Sequence, residues 1–288
     1  MRNVRLLAAV AVVCLGAAVL AGCTDEPQPA VVTPEQQRLA PSQPATLTSD
    51  GPNGRIVYDL AHGEIFRPDD TSQLGQSAAV QRMQEAGYGV TITEERLKED
   101  SLDGVAAYYV AGPMRGFTDE EKGYLDAYLE SGGTVVLTIH IPYPVLALPA
   151  RWGLPLGTAV VVSPTSTDPV DPGVFVTDNI AKDPLTEGVN SIAVLSGWAV
   201  SADKNTLKTA KLVVSTGPEA LADTNGNQQF DSADKQAPFG VVGVTTVGSG
   251  RVIVLGDDAI FANVGIGTAD NGKLFDNILK LISAPKGA

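Results

Sequence analysis

Several short apolar runs in this chain do not alternate with polar residues, and that limits the folds open to it. The first is Ile56-Val57-Tyr58-Asp59-Leu60, followed by residues 105–110, 134–139 and 250–255. A strand with one wet face alternates, whereas an unbroken apolar run suits a strand buried on both faces. Helical spacing separates the first of these runs. Ala79, Val80, Met83 and Ala86 recur through residues 72–87, which close on Gly87. Thr118-Asp119-Glu120-Glu121 reads as a capping box, a Thr cap with Glu three residues later. Tyr124, Leu125, Tyr128 and Leu129 follow on one face, and Gly132-Gly133 stops the helix. Residues 88–92 form a further short strand. The pattern predicts an α/β fold of three layers, a mostly parallel sheet flanked by helices, as in flavodoxin-like proteins.

Residues 141–175 interrupt this rhythm with many prolines and one strand at 159–162. Residues 192–200, 211–215 and 239–247 read as further strands, an added β-rich segment. Leu274, Phe275, Ile278, Leu279 and Ile282 make a closing helix before Pro285. The folded domain is expected over residues 55–284.

The N-terminus reads as an export signal. Arg2 and Arg5 precede an uncharged apolar stretch, residues 6–20, which ends in Leu20-Ala21-Gly22-Cys23. A basic start, a short apolar core and small residues before a cut are the secretory pattern. The stretch is shorter than the ~20 residues of a membrane span. The tetrapeptide resembles a bacterial lipobox, which implies a signal peptide over 1–22 and a lipid (palmitate among its acyl chains) on Cys23. Residues 23–54 then form the lipid-modified Cys and a tether, in which Pro27, Pro29, Pro34, Pro41, Pro44 and Pro52 sit among small polar residues. Such a segment buries too little apolar surface to order itself. The expected location is the cell envelope, facing the periplasm or the exterior. Cys14 leaves with the signal, so no free thiol is left for a disulfide, a nucleophile or a metal. Cleavage removes two arginines and no acid, taking the net charge from −13 to −15. An acidic exported protein is poorly suited to nucleic acid.

Read in order, several motifs resemble a known superfamily. They are Asp59-Leu60-Ala61-His62-Gly63-Glu64, Ala111-Gly112-Pro113, the capped helix ending in Gly132-Gly133, Asp183-Pro184-Leu185-Thr186-Glu187-Gly188-Val189, and Gly250-Arg251-Val252-Ile253-Val254-Leu255-Gly256-Asp257-Asp258. Their order resembles the class I glutamine amidotransferase-like superfamily, in its non-amidotransferase branch of exported bacterial proteins. The resemblance implies a Cys nucleophile after a central strand, but here the strand at 134–139 runs into His140-Ile141-Pro142. Without a thiolate, glutamine hydrolysis by that route is excluded.

Both histidines fall at carboxyl ends of expected strands, the edge where open parallel sheets bind ligands. His62 and Glu64 follow the first strand, His140 the fourth, and Asp257 the last. Two imidazoles with carboxylates suit a metal or an acid–base pair. The plainer alternative is that they satisfy loop backbone groups. No Gly-x-Ser-x-Gly elbow is present, which argues against a serine hydrolase.

Residues 223–234 fit a twelve-residue calcium loop. Asp223, Asn225, Asn227, Asp231 and Asp234 stand at positions 1, 3, 5, 9 and 12, and the backbone carbonyl of Gln229 at position 7. Gln228 replaces the sixth-position Gly, and Asp234 the longer Glu. The alternative is a polar hairpin turn that needs no ion. Calcium is therefore the cofactor expected, with a structural role. The leading functional expectation is a membrane-tethered, non-catalytic protein for binding or assembly with a protein or glycan partner. The second is an extracytoplasmic hydrolase of glycan-type substrates using His62, Glu64, His140 and Asp257.

Overall fold

The structure is a computed structural model, and it describes residues 47–166, 168, 171–226, 231 and 234–282. Cys23, the signal segment and most of the tether lie outside these residues, as do Asn227 and Gln229. The chain runs β1 (Arg55–Asp59), α1 (Ser77–Glu85), β2 (Gly89–Thr93), β3 (Val105–Ala111), α2 (Asp119–Glu130), β4 (Thr134–Thr138) and a short α3 (Ala147–Arg151). It continues with β5 (Leu156–Val162), β6 (Val174–Thr177), β7 (Asn179–Ile180), β8 (Ile192–Leu195), β9 (Trp198–Val200), β10 (Lys211–Ser215), β11 (Leu221–Asp223) and β12 (Lys235–Gln236). β13 (Gly240–Val247), β14 (Gly250–Leu255) and α4 (Asn271–Leu281) close it.

β2, β1, β3, β4 and β14 pair in parallel in that order. Every residue of β3 and β4 is buried, as their unalternating sequences require. Tyr108 and Tyr109 point to opposite sides of the sheet, because neighbouring strand residues face opposite ways. On one side Tyr58 and Tyr109 pack with Met83 of α1 and Phe275 of α4. On the other, Tyr108 packs with Leu125 and Leu129 of α2 and with Trp152. The capping box of α2 forms as its sequence predicts. The Glu121 amide donates to Thr118 Oγ1 (3.2 Å), and the Thr118 amide to Glu121 Oε2 (2.8 Å).

The expected three-layer, flavodoxin-like architecture is overturned. Beyond β14 the sheet continues as β13, β9, β5, β11 and β12, with β10 and β7 branching from β13, to reach twelve strands. Among the described residues that sheet has four parallel pairings and seven antiparallel ones. Among the described residues four α-helices, one of only five residues, accompany it. The molecule is thus mainly a mixed β-sheet. The physical reason lies in the connections. A parallel return needs a long crossover, whereas a two-residue link gives an antiparallel neighbour. Gly248-Ser249 joins β13 to β14, and between β5 and β14 no α-helix intervenes among the described residues.

The parallel core places the site. Ala111, Thr138 and Leu255, which end β3, β4 and β14, are register partners. The loops after β1, β3, β4 and β14 therefore share one edge.

Candidate functional site

The loop after β1 folds back on the last residue of that strand. Asp59 Oδ1 accepts from the Ala61 amide (3.1 Å), and Oδ2 lies 2.6 Å from His62 Nδ1. The His62 amide donates to Glu64 Oε2 (3.1 Å), and its carbonyl accepts from the amides of Met114 and Arg115. The imidazole stacks on Phe117, ring centres 3.7 Å apart. Its Nε2 lies 3.1 Å from Glu121 Oε1. Arg96 donates to the other oxygen of Glu121 (2.7 Å), and the Leu97 amide to Oε1 (3.2 Å). His62 thus ties together the loops after β1, β2 and β3, and neither it nor Asp59 reaches solvent.

Burial dominates the electrostatics. It pushes the Glu64 carboxyl up, to about 10, and Asp59 beside it adds to the shift. The shift favours the protonated form of Glu64. Burial works against the charge of Glu121 too. There the Thr118 amide, His62 and Arg96 outweigh it and hold the carboxyl below its usual range. Burial, then the charge of Asp59, raises the Tyr108 phenol well above its ordinary value. Glu64 Oε1 and Tyr108 Oη are buried without a hydrogen-bond partner.

His140 sits apart from this group. It follows β4, is about one-third exposed, and its Nδ1 lies 3.2 Å from Asp258 Oδ2. Its carbonyl accepts from Trp198 Nε1 (2.8 Å). The contact with Asp258 raises the His140 pKa against the opposing effect of burial. Burial in turn raises Asp258, although His140 pulls the other way. Gln76 ties the groups beneath. Its Oε1 accepts from Tyr58 (3.1 Å) and Tyr109 (3.0 Å).

Asp257 is occupied with backbone. Its Oδ2 accepts from the Leu195 amide (2.5 Å) and its Oδ1 from the Ala259 amide (2.9 Å). Burial pushes its carboxyl up to about 8. The structure accordingly brings His62 and Glu64 together, holds His140 with Asp258, and uses Asp257 to fasten the end of β8 to that of β14. Sequence reasoning missed the role of Glu121. The capping box marked its helix position, but no spacing rule reports that its carboxylate meets a histidine 59 residues earlier. It missed Gln76 and Tyr108 as well, whose roles arise from packing alone.

At the other end of the sheet β11, which ends at Asp223, pairs antiparallel with β12, and residues 227–230, 232 and 233 of the expected calcium loop lie outside the described residues. Asp223 Oδ1 accepts from the Gly226 amide (2.7 Å), and Asp231 Oδ2 from Asn225 Nδ2 (2.8 Å). Asp234 accepts from the amides of Thr224 and Asp231, each at 3.2 Å. Hydrogen bonds thus link Asn225 to Asp231, Asp231 to Asp234 and Asp234 to Thr224 across this segment.

The chain belongs to the family described as Domain of unknown function (DUF4350), whose profile matches residues 68–279. Among solved structures it is similar to the mmIFT52 N-terminal domain, at 17% identity and a TM-score of 0.64, covering 79% of this chain and 96% of that one. It is also similar to the cytoplasmic protein STM1381 from Salmonella typhimurium LT2, at 11% identity and a TM-score of 0.51, covering 80% and 99%. At such identities the likeness shows the fold alone. No curated protein matches the chain. The resemblance to the glutamine amidotransferase-like superfamily is overturned: the family and these neighbours lie elsewhere. Of the quoted motifs, Asp59–Glu64 and Ala111–Pro113 lie at ends of parallel strands, Asp183–Val189 caps a short turn after β7, and Gly250–Leu255 is β14 itself.

Proposed function

We propose that this chain is an exported lipoprotein, held to the cell envelope by a lipid on Cys23, that binds or assembles with a protein partner and does not transform a substrate. The observation that carries the reading is the commitment of its polar groups. Both nitrogens of His62 and both oxygens of Asp257 are engaged inside the fold. The hydrolase alternative would need His62 released from Asp59 and Glu121. The same edge displays apolar side chains to solvent: Ile65 and Leu74 after β1, Met114 after β3, Tyr143 after β4 and Val264 after β14. Where such side chains form a contiguous patch they mark an interaction surface. A proline-rich tether suits such a role, with a coil reach of about 30 Å. The loop at 223–234 would hold calcium as a stiffener.

Two measurements test this. Cys23→Ala should abolish palmitate labelling and move the protein from membrane to soluble fractions. A photo-crosslinking residue placed at Tyr143 or Ile65 in living cells should capture one and the same protein. The same probe at exposed Lys204 should capture none. Unchanged membrane retention would sink the anchor. Turnover of a glycan substrate by the purified chain, lost in His140→Ala, would overturn the non-catalytic reading.

A further inference from the structure

We propose that Asp59, His62 and Glu64 form a buried divalent-metal site of the zinc type, ligated through His62 Nδ1 and one carboxylate oxygen from each acid. This goes beyond the binding role above and does not depend on it. One ligand atom from each residue lies within 4.8 Å of the other two. An imidazole nitrogen with two carboxylates suits zinc and its neighbours. Calcium and magnesium prefer oxygen alone.

Three observations on the surroundings point the same way. The first is the far side of the imidazole. A metal-bound histidine characteristically donates its other ring N–H to a carboxylate, which fixes the tautomer and the ring. His62 Nε2 faces Glu121 Oε1 at 3.1 Å, and Glu121 is itself held by Arg96 and the Thr118 amide. With an ion on Nδ1 in place of the proton shared with Asp59, the remaining ring proton would sit on Nε2 and donate to Glu121. The Phe117 ring stacked on the imidazole fixes its plane.

The second is Glu64, only 7% exposed, whose Oε1 has no partner. The third is Tyr108, fully buried, whose Oη also has none. Val57 and Tyr108 are register partners. Asp59, two residues on from Val57, points to the same side of the sheet. The phenol therefore faces the cluster and is placed to supply a further oxygen. Asp59 is the polar neighbour that shifts both groups, yet neither Glu64 Oε1 nor Tyr108 Oη completes a well-formed hydrogen bond, whereas buried polar groups are as a rule paired.

The fit requires modest movement. Ligand atoms around tetrahedral zinc lie roughly 3.3 Å apart. His62 Nδ1 and Asp59 Oδ2, now 2.6 Å apart, would separate by about 0.7 Å as the ion replaces the proton between them, and ligand atoms now up to 4.8 Å apart would close by up to about 1.5 Å.

The test uses the full chain in detergent, carrying Cys14→Ser and Cys23→Ser so that no thiol competes, stripped with chelator and kept in about 1 mM calcium to fill all-oxygen sites. Calorimetry with Zn2+ should show one ion per chain with a dissociation constant below about 1 µM. Glu121→Gln should weaken binding roughly 10–100-fold. Glu64→Gln should weaken it further, and His140→Gln should leave it unchanged. If Glu64→Gln does not fold, Co2+ bound to the unsubstituted site decides. Intense visible bands of a four- or five-coordinate centre with nitrogen ligation support the proposal. A six-coordinate, water-like spectrum overturns it. So do absent Zn2+ binding at about 100 µM, far above the range of structural sites, and binding lost in His140→Gln but retained in Glu64→Gln.

Discussion

Gly112 shows how a single residue shapes the exposed part of the edge. It follows β3 with φ +69°, in the left-handed region. A Cβ there would come within 2.3 Å of Asp258 Oδ2 and 3.1 Å of His140 Cβ. The missing side chain is thus the space in which the His140–Asp258 contact forms. Gly104 shares the backbone strain, at φ +66°, but a Cβ there meets nothing within 4 Å. Comparing the two separates backbone from contact. Gly104→Ala should lower stability by about 1–2 kcal/mol, the cost of the left-handed region for an L-residue. Gly112→Ala should cost that and more, because Asp258 must also move. The His140 pKa, followed by NMR, should fall towards its ordinary 6.5 only in Gly112→Ala. Equal losses in urea denaturation and an unmoved His140 would show that the contact does not depend on this glycine.

Elements differed in how plainly the sequence announced them. The parallel strands were legible because burial on both faces leaves an unbroken apolar run, as in β3 and β4. The α2 cap was legible because Thr118 and Glu121 satisfy each other locally. Residues 192–200 were not: they read as one strand, but Ser196, held at φ 70°, and Gly197 split them into β8 and β9. β7 and β12, two residues each, carry no period at all. Which edge of the sheet such short strands join is decided by long-range packing, so the sequence pattern of residues 55–140 could not be extended to the rest. The histidines fall at one edge because parallel topology fixes it, but their partners were not legible, since Glu121 approaches from the first turn of α2 and Asp258 from the loop after β14. The β11–β12 loop carries its own prediction. Asp223, Asp231 and Asp234 accept hydrogen bonds from neighbouring groups of this segment, and a divalent ion would draw on the same carboxylates. Binding to the native state alone adds RT ln(1 + [L]/Kd), about 2.7 kcal/mol at a hundredfold excess over Kd. Calcium should raise the melting temperature, magnesium should substitute poorly, and Asp231→Asn should erase the response while sparing the metal-free fold. Calorimetry that shows no binding up to several millimolar, about the top of the extracellular range, would return the loop to an ordinary polar turn.

For the whole molecule, the buried acids set an unusual dependence on pH. Glu64 is raised from 4.5 to about 10, and Asp257 from 3.8 to about 8, both chiefly by burial. His140 is raised through Asp258. At neutral pH each of these groups holds more proton in the folded chain than in the unfolded one. Stability changes with pH as the protons bound unfolded minus those bound folded, so here the slope is negative. The contribution of each group is fully present below its unfolded pKa and is lost as pH rises through its folded one. For Glu64 that window runs from about 4.5 to about 10. Glu121 and Asp270 act in the opposite sense. Burial raises them, but their partners outweigh it and lower both. Their stabilisation is present above the ordinary carboxylate range and is lost as pH falls through their folded values. The two sets bracket a maximum within the ordinary carboxylate range, near pH 4–5, above which stability declines. The net charge of −13 reinforces the alkaline decline, since self-repulsion grows as further groups ionise. Urea midpoints measured in chelator should therefore fall steadily from about pH 6 to pH 9. Chelator matters because a cation on Asp59, His62 and Glu64 would replace the proton on Glu64 and flatten the curve. Glu64→Gln, which cannot ionise, should flatten it without any metal. A midpoint that holds level or rises to pH 9 in the unsubstituted protein would mean that Glu64 ionises in the fold at little cost, and that the cluster around His62 is open to water.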